Sequence, residues 1–188
     1  MKPNLVIVGL GNPGTQYAET RHNVGFRAVD VLSEAFGVGE WEEKQKFLSV
    51  VQEARIVTVP VLLVKPQTYM NLSGNAVEKI VDFFKLDPAH QVMVLCDDID
   101  IPLGELRLRT SGGPGTHNGL RSLQAKFGEA YPRLRIGLGA KPSPSTDVAG
   151  WVLSVPSAEE KAAIQTALGG IADLVREFVL ETGAEQGK

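Results

Sequence analysis

Blocks of apolar residues alternate with polar loops along this chain, and their spacing predicts strands and helices in turn. Leu5 to Val8 is a short β-rich apolar run that ends in glycine, which is typical of a strand in the middle of a sheet. From Val24 to Phe36 the apolar residues recur at helical spacing, after Asn23 as a predicted N-cap and before Gly37 as a predicted end. The chain therefore opens with a strand, a long loop and a helix.

The same alternation continues through the rest of the sequence. Strands are predicted around the ranges Phe47 to Gln52, Ile56 to Val59, Val61 to Val64, Val92 to Cys96, Leu106 to Arg109 and Leu134 to Leu138. The second and third of these are separated only by Pro60, so they are either one bent strand or two edge segments. Helices are predicted over Gly74 to Phe84 with Ser73 or Asn71 as cap, over Leu120 to Phe127, and from a capping box at Ser157 through about Val179, with a weak point at Gly169-Gly170.

Strands that alternate with helices from end to end predict one α/β domain over residues 1–188, with three layers, α/β/α, around a twisted sheet. The closely spaced strands between residues 45 and 65 favour a mixed, mostly parallel sheet over an all-parallel one. The Pro/Ser-rich stretch from Lys141 to Gly150 is expected to be a long loop, and the tail from about Thr182 is expected to fray.

Composition narrows the class of protein. The chain has 188 residues, of which 43% are hydrophobic, and can bury a sizeable core. No apolar run is long enough to cross a membrane and no cleavage site follows the first residues, so we expect a soluble, cytoplasmic protein. The lone cysteine, Cys96, cannot form an internal disulfide, and its apolar neighbours favour a buried, unreactive thiol.

Charge is distributed unevenly along the sequence. The chain has a net charge of −3, yet the segment from Gly104 to Pro142 has seven basic residues against two acids, a net +5. This asymmetry is typical either of a phosphate-binding face on an acidic protein or of an ordinary solvated strand and helix. Within it, the glycine-rich segment from Thr110 to Gly119 precedes a predicted helix, an arrangement that suits a bound phosphate but also a mobile loop.

Five polar residues stand directly after predicted strands or in the loops that follow them. They are Asn12, His22, Asn71, Asp97 and Asn118. Because side chains at the ends of strands in one open sheet converge, the five predict a single pocket. An imidazole whose other nitrogen is held by a carboxylate is a general base, so His22 and Asp97 are candidates for activating water; the alternative is a loop histidine and a turn aspartate that never meet. No G-x-S-x-G elbow is present, which favours water over serine as nucleophile.

Two other motifs lack the context that their chemistry needs. Gly9 to Gly14 matches the G-x-G-x-x-G dinucleotide pattern, but the loop continues past the glycines and the first acid in range, Asp30, lies inside a predicted helix. The acids from Asp97 to Asp100 lack the spacing of a calcium loop, and His90 and His117 have no companion at metal-ligand spacing. We therefore expect no metal and no cofactor.

Six blocks of sequence follow one another in order between about residues 5 and 180. They are Val8-Gly9-Leu10-Gly11-Asn12-Pro13-Gly14 with Tyr17, Thr20-Arg21-His22-Asn23-Val24-Gly25, the segment Lys65 to Gly74, Asp97-Asp98-Ile99-Asp100, His117-Asn118-Gly119-Leu120 and Arg133-Leu134-Arg135-Ile136-Gly137. Together they resemble the signature sequences of bacterial peptidyl-tRNA hydrolases, and six blocks in order are far more specific than any one of them.

The resemblance implies an esterase that cleaves the bond between a peptide's C-terminal carbonyl and the terminal ribose of tRNA, so that the tRNA is released for reuse. It implies that His22 is the base for water and that Asp97 holds and polarises it. The residues implied to bind the peptide end and position the reacting groups are Asn12, Asn71 and Asn118, alongside Tyr17, Tyr69 and Met70. The basic residues expected to receive tRNA phosphates are Arg107, Arg109, Arg135 and Lys141. We expect a monomer with peptidyl-tRNA as substrate and no obligatory protein partner.

The chain departs from the family pattern at a few positions. Many relatives have an almost all-glycine loop with an additional histidine where this chain has Ser111, Pro114 and Thr116, and often a lysine where it has Arg109. None of these changes removes a proposed catalytic group.

Two other functional classes remain open. A non-catalytic RNA-binding relative, such as the organellar splicing factors of this fold, needs the basic face without hydrolysis, whereas an esterase for small substrates needs the pocket without the basic face.

Overall fold

The first apolar run forms strand β1 (Leu5–Gly9), which lies inside a seven-stranded sheet in the computed structural model, where residues 2–185 are described. The other strands of this part of the chain are β2 (Gly37–Lys44), β3 (Ser49–Ile56), β4 (Val59–Pro66), β5 (Val92–Asp98), β6 (Leu106–Arg109) and β7 (Arg133–Gly137). The helices are α1 (Val24–Phe36), α2 (Ser73–Phe84), α3 (Pro88–Gln91), α4 (Asn118–Phe127), α5 (Val148–Val152), α6 (Ala158–Gly169) and α7 (Ile171–Glu185). Single 3-10 turns occur at Thr15–Tyr17, Arg21–Asn23, Gln45–Phe47 and Met70–Leu72.

The sheet is mixed, as the sequence predicts. Its order is β2-β3-β4-β1-β5-β7-β6. The central strands β4, β1, β5 and β7 run parallel. At one side β3 pairs antiparallel with β4 and β2 pairs antiparallel with β3, and at the other side β6 pairs antiparallel with β7. Because parallel strands end at the same edge, the loops after β1, β4 and β5 meet there.

Helices cover both faces of the sheet, and the alternation of side chains along β1 shows why. Leu5 and Ile7 point into a core shared with α1, α6 and α7, whereas Val6 and Val8 point into a second core shared with α2 and α4. A strand that is apolar at every position is therefore buried on both faces, which confirms the predicted three-layer arrangement.

Glycines bring β1 and α1 into close contact. A Cβ atom on Gly9 would lie 2.3 Å from the carbonyl oxygen of Gly25, and one on Gly25 would lie 2.5 Å from the carbonyl oxygen of Leu10. No larger residue fits at either position without moving backbone. In this chain the first glycine of the G-x-G-x-x-G match serves strand–helix packing.

Some local predictions in the first half of the chain were wrong. The segment Gly37–Lys44 forms edge strand β2, which its polar, exposed sequence did not reveal. Pro60 lies within the single strand β4, because the chain turns before it, at Val57 and Thr58. Asn23 does not cap α1, since its Oδ1 accepts the N–H of Asn12 instead.

The predicted cap of α2 was also wrong. Neither Asn71 nor Ser73 caps this helix with its side chain; Ser73 is its first residue, and its hydroxyl donates to the carbonyl of Met70. The stretch expected to be a loop up to Gly150 gives way to the short helix α5.

The last helical region agrees with the sequence in its start and its weak point. Ser157 and Glu160 form the predicted capping box, and the helix breaks into α6 and α7 after Gly169. Helix α7 continues past Thr182 to Glu185, further than the predicted fraying point. The rest of the predicted frayed tail, residues 186–188, lies outside the described residues.

Candidate active site

The carboxyl edge of the parallel strands holds the residues that the sequence singles out. Asn12 lies in the loop after β1, His22 on the 3-10 turn before α1, Asn71 on the turn after β4, Asp97 near the end of β5 and Asn118 at the start of α4. Asn12, His22 and Asp97 are buried, whereas Asn71 and Asn118 are exposed. The predicted convergence of distant loops is therefore present, with a buried centre and an exposed rim.

His22 and Asp97 meet, which excludes the alternative that they stay apart. The Nδ1 of His22 lies 2.9 Å from Oδ1 and 3.0 Å from Oδ2 of Asp97. Since a carboxylate accepts, Nδ1 carries the proton and Nε2 is left as the basic nitrogen. Burial lowers the pKa of His22, but the charge and hydrogen bond of Asp97 outweigh burial, so its pKa lies above the usual value. The pair has the geometry of a general base and its orienting group.

A second imidazole, which sequence reasoning did not assign to the site, contacts the same carboxylate. His117 Nε2 lies 2.8 Å from Asp97 Oδ1, and the rings of His117 and His22 have centroids 4.8 Å apart. Burial alone would raise the pKa of Asp97, yet the two histidines hold it well below its usual range. The only sequence signal was the position of His117 beside Asn118, because Asp97 lies 20 residues away along the chain.

The three side chains form a compact cluster. One potential ligand atom from each of them lies within 4.8 Å of the other two, a spacing that would admit a metal ion. However, both imidazole nitrogens that face Asp97 are already satisfied by its carboxylate. We therefore assign the cluster to hydrogen bonding.

Asn12 is fixed in one orientation by backbone contacts. Its own N–H donates to Asn23 Oδ1 at 2.8 Å, and Asn23 Nδ2 donates back to its carbonyl at 2.9 Å. Its side-chain Oδ1 accepts the N–H of Met70 at 2.8 Å. Among the described residues, no group accepts from its Nδ2, so this amide presents two free N–H donors to the site.

Of the residues expected to bind the peptide, Met70 contacts Asn12, and Tyr69 and Asn71 are its neighbours in the chain. The rings of Tyr17 and Tyr69 meet edge to face, 6.4 Å between centroids, and Tyr69 is largely exposed. The side chain of Met70 is buried in the core below α2 and α4, so this residue faces Asn12 through its backbone N–H. The carboxamides of Asn71 and Asn118 have no hydrogen-bond partner within residues 2–185. They are free to bind a ligand.

A cavity of about 300 Å³ opens beside His22 and Asp97. It is lined by the loop from Pro114 to Asn118 and by the start of α5, with Asp147 and Val148. Asp98, Asp100 and Arg135 complete its polar lining. Asn118 also belongs to its lining residues, whereas Asn12 does not.

The basic residues of the +5 segment are not equally available. Arg107 and Arg109 on β6 pair in register with Arg135 and Arg133 on β7, so all four share one face of the sheet. Arg133 is buried against Tyr131, whereas Arg109 is exposed and donates only to the neighbouring Leu108 carbonyl among the described residues. Arg109 is the freest of the four.

The other predicted phosphate contacts hold parts of the protein together. Arg107 donates to Glu105. Arg135 donates to Asp98 at 2.9 Å and to the Gly113 carbonyl at 2.8 Å. Lys141 donates to the carbonyls of its own loop. A phosphate would have to displace these partners or share the cation with them.

The glycine-rich loop does not offer its helix N-terminus to a phosphate. The N–H groups of Gly119 and Leu120 both donate to His117 Nδ1, which caps α4. These donors are therefore occupied, and of the two interpretations of the loop the anion-binding one loses its main support.

Cys96 is buried directly before Asp97, and burial raises the pKa of its thiol, as expected for an unreactive cysteine. No helix among residues 2–185 is both long and apolar enough to cross a membrane.

Comparison with known proteins agrees with the geometry. The profile of the peptidyl-tRNA hydrolase family matches residues 6–187. The peptidyl-tRNA hydrolase of Chloroflexus aurantiacus is 48% identical over 179 residues, 95% of this chain and 93% of the relative, and that of Brevibacillus brevis is 44% identical over 169 residues, 89% and 87% of the two chains. The crystal structure of peptidyl-tRNA hydrolase from Acinetobacter baumannii superposes with a TM-score of 0.85 at 36% identity, covering 97% of this chain and 93% of that one. The chain thus belongs to the peptidyl-tRNA hydrolase family.

Proposed function

We propose that this protein hydrolyses the ester bond between a peptide, or an N-blocked aminoacyl group, and the 3′-terminal ribose of tRNA. The observation that carries the proposal is the buried His22–Asp97 pair in a chain of this family. The His22 ring lines an open cavity, and its Nε2 has no hydrogen-bond partner within residues 2–185. A base that can activate water, in a sequence without a G-x-S-x-G elbow, favours direct hydrolysis by water over attack by a serine.

The proposed reaction needs one base and one set of donors. His22 Nε2 takes a proton from water as the water oxygen attacks the ester carbonyl carbon, and the carbonyl oxygen becomes negatively charged. When the tetrahedral intermediate collapses, the bond to the ribose oxygen breaks and that oxygen takes the proton from His22. Asp97 stabilises the imidazolium between the two steps.

In this mechanism Asn12 stabilises the charge that develops on the carbonyl oxygen. Its Oδ1 is held by Met70, so its Nδ2 donors are preorganised and do not have to be reoriented during the reaction. Asn71 and Asn118 bind and position the peptide amides from the rim, with Tyr17 and Tyr69 as an apolar support. Neutral carboxamides do this without adding charge next to the base.

The tRNA is bound through its phosphates at the β6–β7 edge. Arg109 makes the main contact because it is exposed and lacks an acidic partner within the described residues. Arg107, Arg135 and Lys141 assist from beside it. We propose that the protein acts as a monomer in the cytoplasm, where tRNA is recycled.

The direct test is hydrolysis of N-acetylated aminoacyl-tRNA by wild type, His22→Ala and His90→Ala, beside a small ester with the same acyl group. His90 is an exposed histidine paired with Asp87 and serves as the matched control. We expect a loss of about 10² to 10⁴ in turnover for His22→Ala alone. Near-normal turnover of that variant refutes the mechanism, and equal activity on the small ester refutes tRNA as the substrate.

A further inference from the structure

His117 contacts both the catalytic carboxylate and the start of a helix. Its Nε2 lies 2.8 Å from Asp97 Oδ1, and its Nδ1 lies 3.1 and 3.3 Å from the backbone nitrogens of Gly119 and Leu120. Its side chain is 9% exposed. It is therefore held on both sides of the ring.

These contacts fix the tautomer of the ring. Backbone N–H groups can only donate, so Nδ1 of His117 accepts two hydrogen bonds and carries no proton. The one remaining proton of a neutral imidazole is then on Nε2, directed at Asp97.

The carboxylate is consequently shared unequally. Asp97 Oδ1 accepts from both His117 and His22, while Oδ2 faces His22 alone. In the proposed reaction the His117 contact stays the same, because its tautomer is set by the helix, whereas the His22 contact changes when His22 gains a proton. One imidazole is a fixed donor and the other is the working base.

We propose that His117 is a positioning residue that acts through Asp97: its neutral imidazole holds the carboxylate in one orientation and spreads its charge, which sets the basicity of His22. The inference rests on the proposed function, since it concerns the same base. It assigns to His117 a role distinct from that of Asn118, its neighbour on the rim.

The other charged groups nearby do not take this role. Asp98 is ion-paired with Arg135, and Asp100 and Asp147 face the same cavity without contacting Asp97. Cys96 lies against Asp97 but is neutral, because burial raises the pKa of its thiol. Within residues 2–185, only His22 and His117 form hydrogen bonds to the Asp97 carboxylate.

Two variants separate the two contacts of His117. Asparagine caps helices well but is too short to reach Asp97, so His117→Asn retains the cap and loses the donor. The amide nitrogen of glutamine reaches about as far as Nε2, so His117→Gln retains the donor and loses the cap. The measurements are kcat and kcat/KM for N-acetylated aminoacyl-tRNA against pH, together with the Tm of each variant.

The two variants should have opposite effects. Without the donor, the charge of Asp97 is more concentrated and favours imidazolium at His22, so His117→Asn should move the acidic limb of kcat/KM upward by about half to one pH unit, with kcat about tenfold lower. Its Tm should stay close to that of wild type. His117→Gln should keep the acidic limb of kcat/KM at its wild-type pH, and its Tm should be lower because α4 loses its N-terminal cap.

The inference is overturned, in favour of a purely structural role, if His117→Asn leaves the acidic limb of the kcat/KM profile where it is in wild type. It is also overturned if both variants show the same acidic limb and the same loss of kcat. If His117→Asn does not fold, His117→Ser replaces it, because serine also caps and does not reach Asp97. If activity is too low to measure, titration of the His22 imidazole by NMR gives the same shift directly. The proposed function fails independently, when wild type does not hydrolyse the substrate or His22→Ala still does.

Discussion

Replacing Asp97 with asparagine tests the site most sharply, because the structure and the sequence lead to different expectations. From the sequence, Asp97→Asn should be milder than His22→Ala, since the imidazole remains. The structure adds a constraint: Oδ1 at this position accepts from His117 as well as from His22. His117 cannot reverse its ring protons without losing the cap of α4. An asparagine must therefore place its oxygen toward His117.

The amide nitrogen of the introduced asparagine would then occupy the position of the Asp97 Oδ2 atom, which lies 3.0 Å from His22 Nδ1 in the wild-type protein. A second donor would then stand beside the His22 Nδ1 proton. We expect His22 to relieve this donor–donor contact by moving its proton to Nε2 and accepting from the amide nitrogen, which leaves the asparagine oxygen to accept from His117 alone. The nitrogen that faces the cavity is then protonated and cannot accept a proton from water. Asp97→Asn should thus reduce kcat by about 10³ to 10⁴, as the wrong tautomer does in a histidine-dependent hydrolase, and match His22→Ala.

The assay is single-turnover hydrolysis of N-acetylated aminoacyl-tRNA at saturating enzyme, with His22→Ala, Asp97→Asn and the double variant. The double variant should be no slower than either single variant, because both remove the same base. NMR of His22 should show the proton on Nε2 in Asp97→Asn. A loss of less than about tenfold, or a His22 that keeps its Nδ1 proton, refutes this reasoning.

Three further predictions follow from the same geometry. The pKa of His22 is raised and its neutral form is the active one, so the acidic limb of kcat/KM should lie above pH 6.5, the ordinary histidine value; a limb below pH 6 contradicts the assignment. Arg109→Ala should raise KM, leave kcat unchanged and reduce the salt dependence of tRNA binding by the equivalent of about one phosphate contact. The control Arg176→Ala, on α7 and paired with Asp173, should change neither KM nor the salt dependence. An effect of Arg109→Ala that does not depend on salt counts against a phosphate contact. Asn12→Asp keeps an acceptor for the Met70 N–H but removes the Nδ2 donors, so kcat should fall about 10² to 10³ and the preference for blocked over free aminoacyl-tRNA should become smaller. An unchanged kcat would show that Asn12 does not stabilise the oxyanion.

Local sequence patterns were enough to predict the main strands and helices and the edge of the sheet at which the site lies. Strand β1 is apolar at every position and is buried on both faces, and α1 has an apolar stripe that fits its predicted range. Such apolar patterns can be recognised within a single segment, because the side chains that are buried must be apolar. Asn12, His22 and Asp97 were identifiable because polar residues at the ends of parallel strands converge whatever the loops between them do.

Contacts between distant segments were decided by the tertiary structure alone. Asn23 has a capping sequence but bonds to Asn12, because the loop after β1 folds back against α1. Edge strand β2 is polar and exposed, so only its pairing with β3 defines it. His117 had one sequence signal, its position beside Asn118, because its contact with Asp97 on β5 depends on the fold. Periodicity fixes which face of an element is buried; which side chains then meet across loops depends on packing of the whole chain.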